Sequence, residues 1–131
     1  MFSFHHIGYV VKNLELTEER FSYLGYSSVG LYDDSVQDIF INVLEKDKSP
    51  LIELILPKNE DHALLKFLGE GGSSSPYHVA YMVKSLDEAS DKLRRSGFIP
   101  TMKPGISVAF DKKPFIFFFS RSTGLIELIE E

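Results

Sequence analysis

Two segments of this 131-residue chain are near copies of each other. "HIGYVVKNL" begins at His6 and "HVAYMVKSL" begins at His78, so a shift of 72 residues aligns them without a gap. A second pair follows in the same order, with "LIELIL" beginning at Leu51 and "LIELIE" beginning at Leu125. Two matches in the same order at nearly the same offset indicate that one structural unit has been duplicated.

Each copy is expected to form a strand, a helix and three further strands. In the second copy Ser85 can cap the helix, with Glu88 three residues later and Gly97 at its end. Asn13 and Gly25 hold the matching positions in the first copy. The strands predicted after the helices are 27–32, 39–44 and 51–56 in the first copy, and 99–103, 115–120 and 125–129 in the second, with 108–110 as a short extra strand.

The predicted domain organisation is one α+β domain over residues 1–131, built from two βαβββ units. Residues 1–68 form the first unit and a short linker helix, in which His62 is expected to be solvated. Residues 69–76, "GEGGSSSP", form a glycine- and serine-rich link, and residues 77–131 form the second unit.

Composition excludes several classes of protein. The net charge is −5 and the basic residues form no legible face, so no nucleic acid partner is expected. The chain has no cysteine, which excludes disulfides and thiolate metal sites. No apolar run is long enough to span a membrane and no leader pattern is visible, so we expect a cytoplasmic protein with no membrane partner.

Four polar residues occupy apolar strands at matching positions of the repeat: His6 with His78, and Glu53 with Glu127. An ionised carboxylate buried in a strand costs several kcal/mol unless it is compensated. Two imidazoles and two carboxylates form a suitable ligand set for a divalent metal ion such as Co, Mn, Ni, Zn or Fe. The residues alone leave another interpretation open, because a strand glutamate can face solvent and a strand histidine can bond a carbonyl group. His5 is expected to point to the opposite face from His6 and to be structural.

The segments "HHIGYVVKNLELTEERFSYLGY", "LIELILP", "YHVAYMVKSLDEASDKLRRSGF" and "STGLIELIEE" resemble the vicinal oxygen chelate superfamily, which includes glyoxalases, bleomycin resistance proteins and dioxygenases. The resemblance covers essentially the whole chain and implies two βαβββ units that form a half-open, glyoxalase-like barrel around a metal. It implies metal ligation by His6, Glu53, His78 and Glu127, and a homodimer. Within the superfamily, "ALLKFLGEGGSSSPYHVAY" is most similar to the methylmalonyl-CoA epimerases, although the family's glycine-rich loop is reduced here to Gly105.

The resemblance also implies a chemistry, namely proton abstraction next to a carbonyl group with a metal-stabilised enolate. The small-molecule substrate would be an acyl-CoA thioester, and Glu127 would act as a catalytic base as well as a ligand. Asp38, in "SVQDIFINVLE", is the expected second catalytic base, with Glu45 as its competitor. The alternatives are a glyoxalase I-like lactoylglutathione lyase acting on a glutathione hemithioacetal, a non-catalytic small-molecule-binding protein of the resistance type, or a structural dimer with "PFIFFF" at its interface.

Overall fold

The computed structural model describes residues 2–131, which divide into two compact units. One unit is Ile7–Tyr77, called here the N-terminal unit. The other, called the C-terminal unit, combines residues 2–6 with His78–Glu131. The division falls within the first strand, β1 (Ser3–Val10), so that His6 belongs to the C-terminal unit. The predicted organisation with a link at residues 69–76 stays a prediction.

In the N-terminal unit, β1 leads into one helix and three strands. They are α1 (Leu14–Ser22), β2 (Ser27–Asp34), β3 (Ile39–Glu45) and β4 (Leu51–Pro57). The strand order is β2-β3-β4-β1, and both β2–β3 and β3–β4 are antiparallel. Two 3₁₀ segments, Ala63–Phe67 and Glu70–Gly72, follow β4. The predicted Asn13 cap of α1 is confirmed, because its Oδ1 accepts a hydrogen bond of 2.9 Å from the Leu16 N–H.

Helix α1 covers one face of these strands. Leu44, Ile52 and Leu54 are buried in one cluster against which Leu14 and Phe21 pack. Alternate residues of a strand point to opposite faces. The odd-numbered neighbours on β4 therefore lie on the face away from α1, and Glu53 is among them.

The C-terminal unit repeats this order around a second helix. Its elements are β5 (Ser75–Val83), whose first residues lie in the N-terminal unit, α2 (Leu86–Arg95), β6 (Ile99–Pro100), β7 (Gly105–Ile106), β8 (Pro114–Ser120) and β9 (Gly124–Glu130). The strand order is β5-β9-β8-β6, with β7 also paired to β8. Strands β5 and β9 run parallel, and β8 and β9 run antiparallel.

The start of α2 is held by two polar side chains. Ser85 Oγ accepts from the Glu88 N–H at 3.2 Å, which confirms the predicted cap. Glu130 Oε2 accepts from the Leu86 N–H at 2.9 Å. Because the first N–H groups of a helix lack partners within the helix, both contacts stabilise its N-terminus. Gly97, with φ +93°, follows the end of α2 as predicted.

The phenylalanine-rich strand β8 belongs mainly to the core of its own unit. Ile116 and Phe118 are fully buried with Leu128 and Leu86, and Phe115 is buried as well. Phe119 is 39% exposed. Phe115, Ile116 and Phe118 are therefore unavailable to an interface between copies, which was the alternative for "PFIFFF", because they are buried within their own unit.

The segment between β7 and β8 differs from its prediction. Residues 108–110, expected as a strand, lie in a turn where the Phe110 N–H donates to Ser107 Oγ and the Lys112 N–H donates to the Ser107 carbonyl. Asp111 and Lys112 have φ of +56° and +57°, which closes the turn. The strand expected over 99–103 is shorter, Ile99–Pro100. Pro100 has no N–H to donate, although the next residue, Thr101, still donates to the Phe117 carbonyl at 3.0 Å.

Each unit thus has one helix over one face of its strands, and the α+β class predicted from the sequence is confirmed. Among the described residues, no helix is long and apolar enough to cross a membrane.

Candidate metal centre

Three of the predicted ligands converge within the C-terminal unit. The Nε2 atoms of His6 and His78 lie 3.0 Å apart. Glu127 Oε1 lies 3.2 Å from His6 Nε2 and 3.1 Å from His78 Nε2. His6 is 0% exposed, His78 3% and Glu127 5%. The prediction that these side chains converge in the interior rather than face solvent is met for all three.

Strand register explains the convergence. On the parallel pair β5–β9, Ala80 is opposite Glu127, so His78 lies two residues along on the same face. On the other side of β9, Phe117 of β8 is opposite Glu127. Ile126 and Leu128 point the other way, into the cluster beneath α2. The "LIEL" order therefore divides β9 into an apolar face and a face that carries Glu127.

The triangle of donor atoms matches what a single metal ion requires. Zn²⁺ and similar ions bind imidazole nitrogen and carboxylate oxygen at about 2.0–2.2 Å. Two donors at that distance from one ion lie about 2.9 Å apart at a right angle and about 3.4 Å apart in a tetrahedron. The three separations of 3.0, 3.1 and 3.2 Å lie between these limits. The donor set, two imidazoles and a carboxylate, also suits a divalent transition metal.

The charge state of Glu127 reflects two opposing effects. Burial by itself would raise the pKa of this carboxyl group above its ordinary 4.5. Hydrogen bonds from His6 and His78, together with the charge on these rings, outweigh the burial, so the pKa is lowered. Glu127 is therefore an ionised carboxylate at neutral pH.

Aromatic rings hold the two imidazoles in place. Phe110 stacks on His6 with ring centroids 5.1 Å apart and planes at 21°. Phe117 meets His78 edge-on, with centroids 5.0 Å apart and planes at 89°. His5 also contacts this group, because its Nδ1 lies 2.8 Å from Nδ1 of His6. The rings around the donor atoms limit their rotation and exclude water from them.

Glu53, the fourth predicted ligand, lies on β4 and is 5% exposed. Its direct partner on that face of the N-terminal unit is the apolar Val43 of β3. The group of His6, His78 and Glu127 can hold a metal ion, and Glu53 as its fourth ligand stays a prediction.

Asp38, the predicted second base, is not part of this group. It lies in the turn between β2 and β3 with φ +59°, and its carboxylate accepts a hydrogen bond from the Asn59 amide. The residue directly opposite Glu53 is Val43. Val43 follows Asp38 by five residues, so the rise of a strand places Asp38 about 16 Å from Val43. Glu45 lies two residues beyond Val43 and so shares the face that carries Glu53.

Two histidines differ from their predicted roles. His62 is not simply solvated: its Nδ1 accepts from the Leu64 N–H at 3.1 Å and its Nε2 lies 2.9 Å from the Gln37 carbonyl, so it fixes the 3₁₀ segment. His5 was expected to point away from His6, yet its ring nitrogen meets that of His6. No spacing rule reveals this contact, because neighbouring strand residues normally alternate in direction.

The fold and the donor group together define an α+β protein with a candidate metal centre. Residues 5–117 match the family model of the Glyoxalase/Bleomycin resistance protein/Dioxygenase superfamily, and the chain belongs to that superfamily. The predicted family and its glyoxalase-like fold are thereby confirmed. No protein in the curated set matches the sequence.

Several solved structures share the fold. Methylmalonyl-CoA epimerase from Mycobacterium tuberculosis is 25% identical with a TM-score of 0.84, covering 98% of this chain and 87% of that one. A hypothetical protein from Bacillus halodurans C-125 is 24% identical with a TM-score of 0.83, covering 99% and 94%. A Streptomyces coelicolor methylmalonyl-CoA epimerase variant in complex with 2-nitronate-propionyl-CoA is 18% identical with a TM-score of 0.85, covering 100% and 99%.

Proposed function

We propose that this protein is a metal-dependent enzyme that moves a proton at the carbon next to a carbonyl group, and that its substrate is an acyl-CoA thioester such as methylmalonyl-CoA. The observation that carries the proposal is the buried convergence of His6, His78 and Glu127 at about 3 Å. Support for the substrate class comes from the fold, which is similar to those of methylmalonyl-CoA epimerases.

The proposed ligands are His6, Glu53, His78 and Glu127, and the ion is a divalent one such as Co, Mn, Ni, Zn or Fe. When bound, the metal would supply a Lewis acid that stabilises the negative charge on the carbonyl oxygen as the neighbouring carbon loses its proton. An interior site lined by Phe110 and Phe117 strengthens such electrostatic stabilisation, because little water screens it.

Glu127 is the proposed first base. A base must be unprotonated before it accepts a proton, and the lowered pKa of Glu127 ensures this at neutral pH. Its contacts with His6 and His78 also fix the orientation of the carboxylate. Both properties are those of the metal-free protein.

Epimerisation requires a second group on the opposite side of the carbon. We propose Glu45 for this role rather than Asp38, because Glu45 lies on the face of β3 and β4 that carries Glu53. The carboxylate of Asp38 instead accepts a hydrogen bond from Asn59, in the turn before β3. A residue diagonal to Glu53 on an antiparallel pair is about 7–8 Å away at the backbone, within reach of a glutamate. Glu45→Gln is the test, and Asp38→Asn is its matched control.

The decisive experiment follows hydrogen exchange at the α-carbon. Purified metal-loaded protein is incubated in deuterated water with methylmalonyl-CoA of one configuration, and the product is examined by NMR. We expect deuterium to enter the α-carbon as the other epimer forms, with loss of epimer formation on Glu45→Gln and no loss on Asp38→Asn. Absence of exchange in the metal-loaded wild type contradicts the epimerase proposal.

The same protein is then tested with the hemithioacetal of methylglyoxal and glutathione. Turnover of that compound without exchange of methylmalonyl-CoA assigns a glyoxalase I-like lyase, in which one base moves the proton between adjacent carbons. Tight binding of a small molecule without either reaction assigns a resistance-type binding protein. The predicted homodimer and cytoplasmic location remain part of the proposal, to be tested by light scattering and by cell fractionation.

A further inference from the structure

His5 and His6 are consecutive in β1, yet their rings touch. The two Nδ1 atoms lie 2.8 Å apart, which is hydrogen-bond distance. The ring centroids are 5.1 Å apart, with planes at 72°. The other nitrogen of His6, Nε2, lies 3.2 Å from Glu127 and 3.0 Å from His78. His6 therefore has one nitrogen in the donor triangle and the other on His5.

The protons of this pair are constrained by metal binding. An imidazole nitrogen that binds a metal must offer its lone pair, so Nε2 of neutral His6 carries no proton in the loaded protein. The single ring proton of His6 is then on Nδ1, and it points at His5. Since a hydrogen bond needs one donor and one acceptor, Nδ1 of His5 must be unprotonated and its proton must be on Nε2.

Phe110 supports both rings from one side. It meets His5 edge-on, with centroids 4.8 Å apart and planes at 82°, and it stacks on His6 at 5.1 Å. Phe110 lies in the turn that Ser107 closes through its side chain and its carbonyl oxygen. The turn thus places the ring of Phe110 against both histidines, which limits their rotation and keeps their Nδ1 atoms facing each other.

We propose that His5 is a positioning residue for the metal centre: its Nδ1 accepts the hydrogen bond from His6 Nδ1–H and fixes the tautomer that presents Nε2 of His6 to the ion. This inference rests on the proposed metal-dependent function. Partners of this kind fix the orientation of a ligating histidine and raise its basicity, and their loss costs about 10- to 100-fold in metal affinity.

The test compares two substitutions of His5 by titration with Zn²⁺ alone. His5→Phe keeps a ring against Phe110 but has no acceptor, and we expect it to bind Zn²⁺ about 10- to 100-fold more weakly than wild type. His5→Asn places an amide oxygen near the position of Nδ1, and we expect it to restore most of the affinity. His62→Phe is the control for losing a half-buried histidine elsewhere, and its affinity should equal that of the wild type.

A nitrogen-15 NMR spectrum of the Zn²⁺-loaded wild type gives a second readout that needs no variant. We expect the ring proton of His6 on Nδ1 and that of His5 on Nε2. Equal affinity of His5→Phe and wild type, equal losses in His5→Phe and His5→Asn, or a proton on Nδ1 of His5 each overturns the inference. Failure of the wild type to bind Zn²⁺ instead overturns the metal centre, which distinguishes the two failures.

Discussion

Replacing Glu127 with alanine removes one of the four proposed ligands and the group that joins the two histidines. Four-ligand Zn²⁺ sites in small proteins bind with about 10–16 kcal/mol, so one ligand accounts for about 2.5–4 kcal/mol. Because about 1.4 kcal/mol corresponds to a tenfold change in affinity, the expected loss is roughly 60- to 700-fold. The distances of 3.1 and 3.2 Å to both histidines justify treating Glu127 as a full ligand in this calculation.

The affinity for Zn²⁺ is best measured by competition with a chromophoric chelator, because this assay can follow the whole expected loss in affinity. Glu131→Ala is the matched control, because it removes an exposed carboxylate from the same end of the chain. We expect the control to retain wild-type affinity and Glu127→Ala to lose α-proton exchange as well. If Glu127→Ala binds Zn²⁺ as tightly as the control, the carboxylate is not a ligand and the reasoning from the donor triangle is refuted.

The remaining predictions concern stability. Leu128→Ala leaves a cavity in the core beneath α2 and should cost about 2–5 kcal/mol in urea unfolding, and a loss below that range would mean that the site collapses. Ser85→Ala removes the α2 cap and should cost about 1 kcal/mol, with a corresponding fall in Tm. Gly97→Ala places a side chain at φ +93° and should cost about 1–3 kcal/mol by the same assay, although nothing lies within 4 Å of the added carbon. In the metal-free protein, the lowered pKa of Glu127 contributes stability that is fully present above pH 4.5 and is lost as the pH falls through the lowered value. The difference in unfolding free energy between wild type and Glu127→Gln should therefore shrink in acid, and a difference that grows would contradict this sign.

The repeat in the sequence carried most of the correct predictions. It paired His6 with His78 and aligned the two apolar strands that hold Glu53 and Glu127. The pairing works because a duplicated unit keeps the same strand faces, so a polar residue at one position implies its counterpart at the other. The helix caps at Asn13 and Ser85 were also predictable, because capping depends on a few local residues.

Features that depend on turns and on tertiary contacts could not be predicted in this way. The turn after β7 has its positive φ angles at Asp111 and Lys112, where no glycine marks it, so residues 108–110 resembled a short strand. Phe110 contacts His6 only because of that turn. The contact between His5 and His6 breaks the ordinary alternation along a strand, so only the structure reveals it.

The position of the second base could not be predicted from the sequence, because it depends on the register between strands. Asp38 and Glu45 are seven positions apart in "SVQDIFINVLE", and the sequence gives no reason to prefer one. The pairing of Val43 with Glu53 supports the proposal of Glu45, since it sets which residues of β3 share the Glu53 face. Register depends on contacts between strands, and no local pattern in this segment specifies it.

The most direct test of the metal centre is an anomalous difference map from a crystal of the protein grown with Co²⁺, recorded at the cobalt absorption edge. The proposed function predicts one strong peak per chain, in contact with Nε2 of His6, Nε2 of His78 and a carboxylate oxygen of both Glu53 and Glu127. A map without such a peak, or a peak bound by other residues, would contradict the assignment of this group as the metal centre.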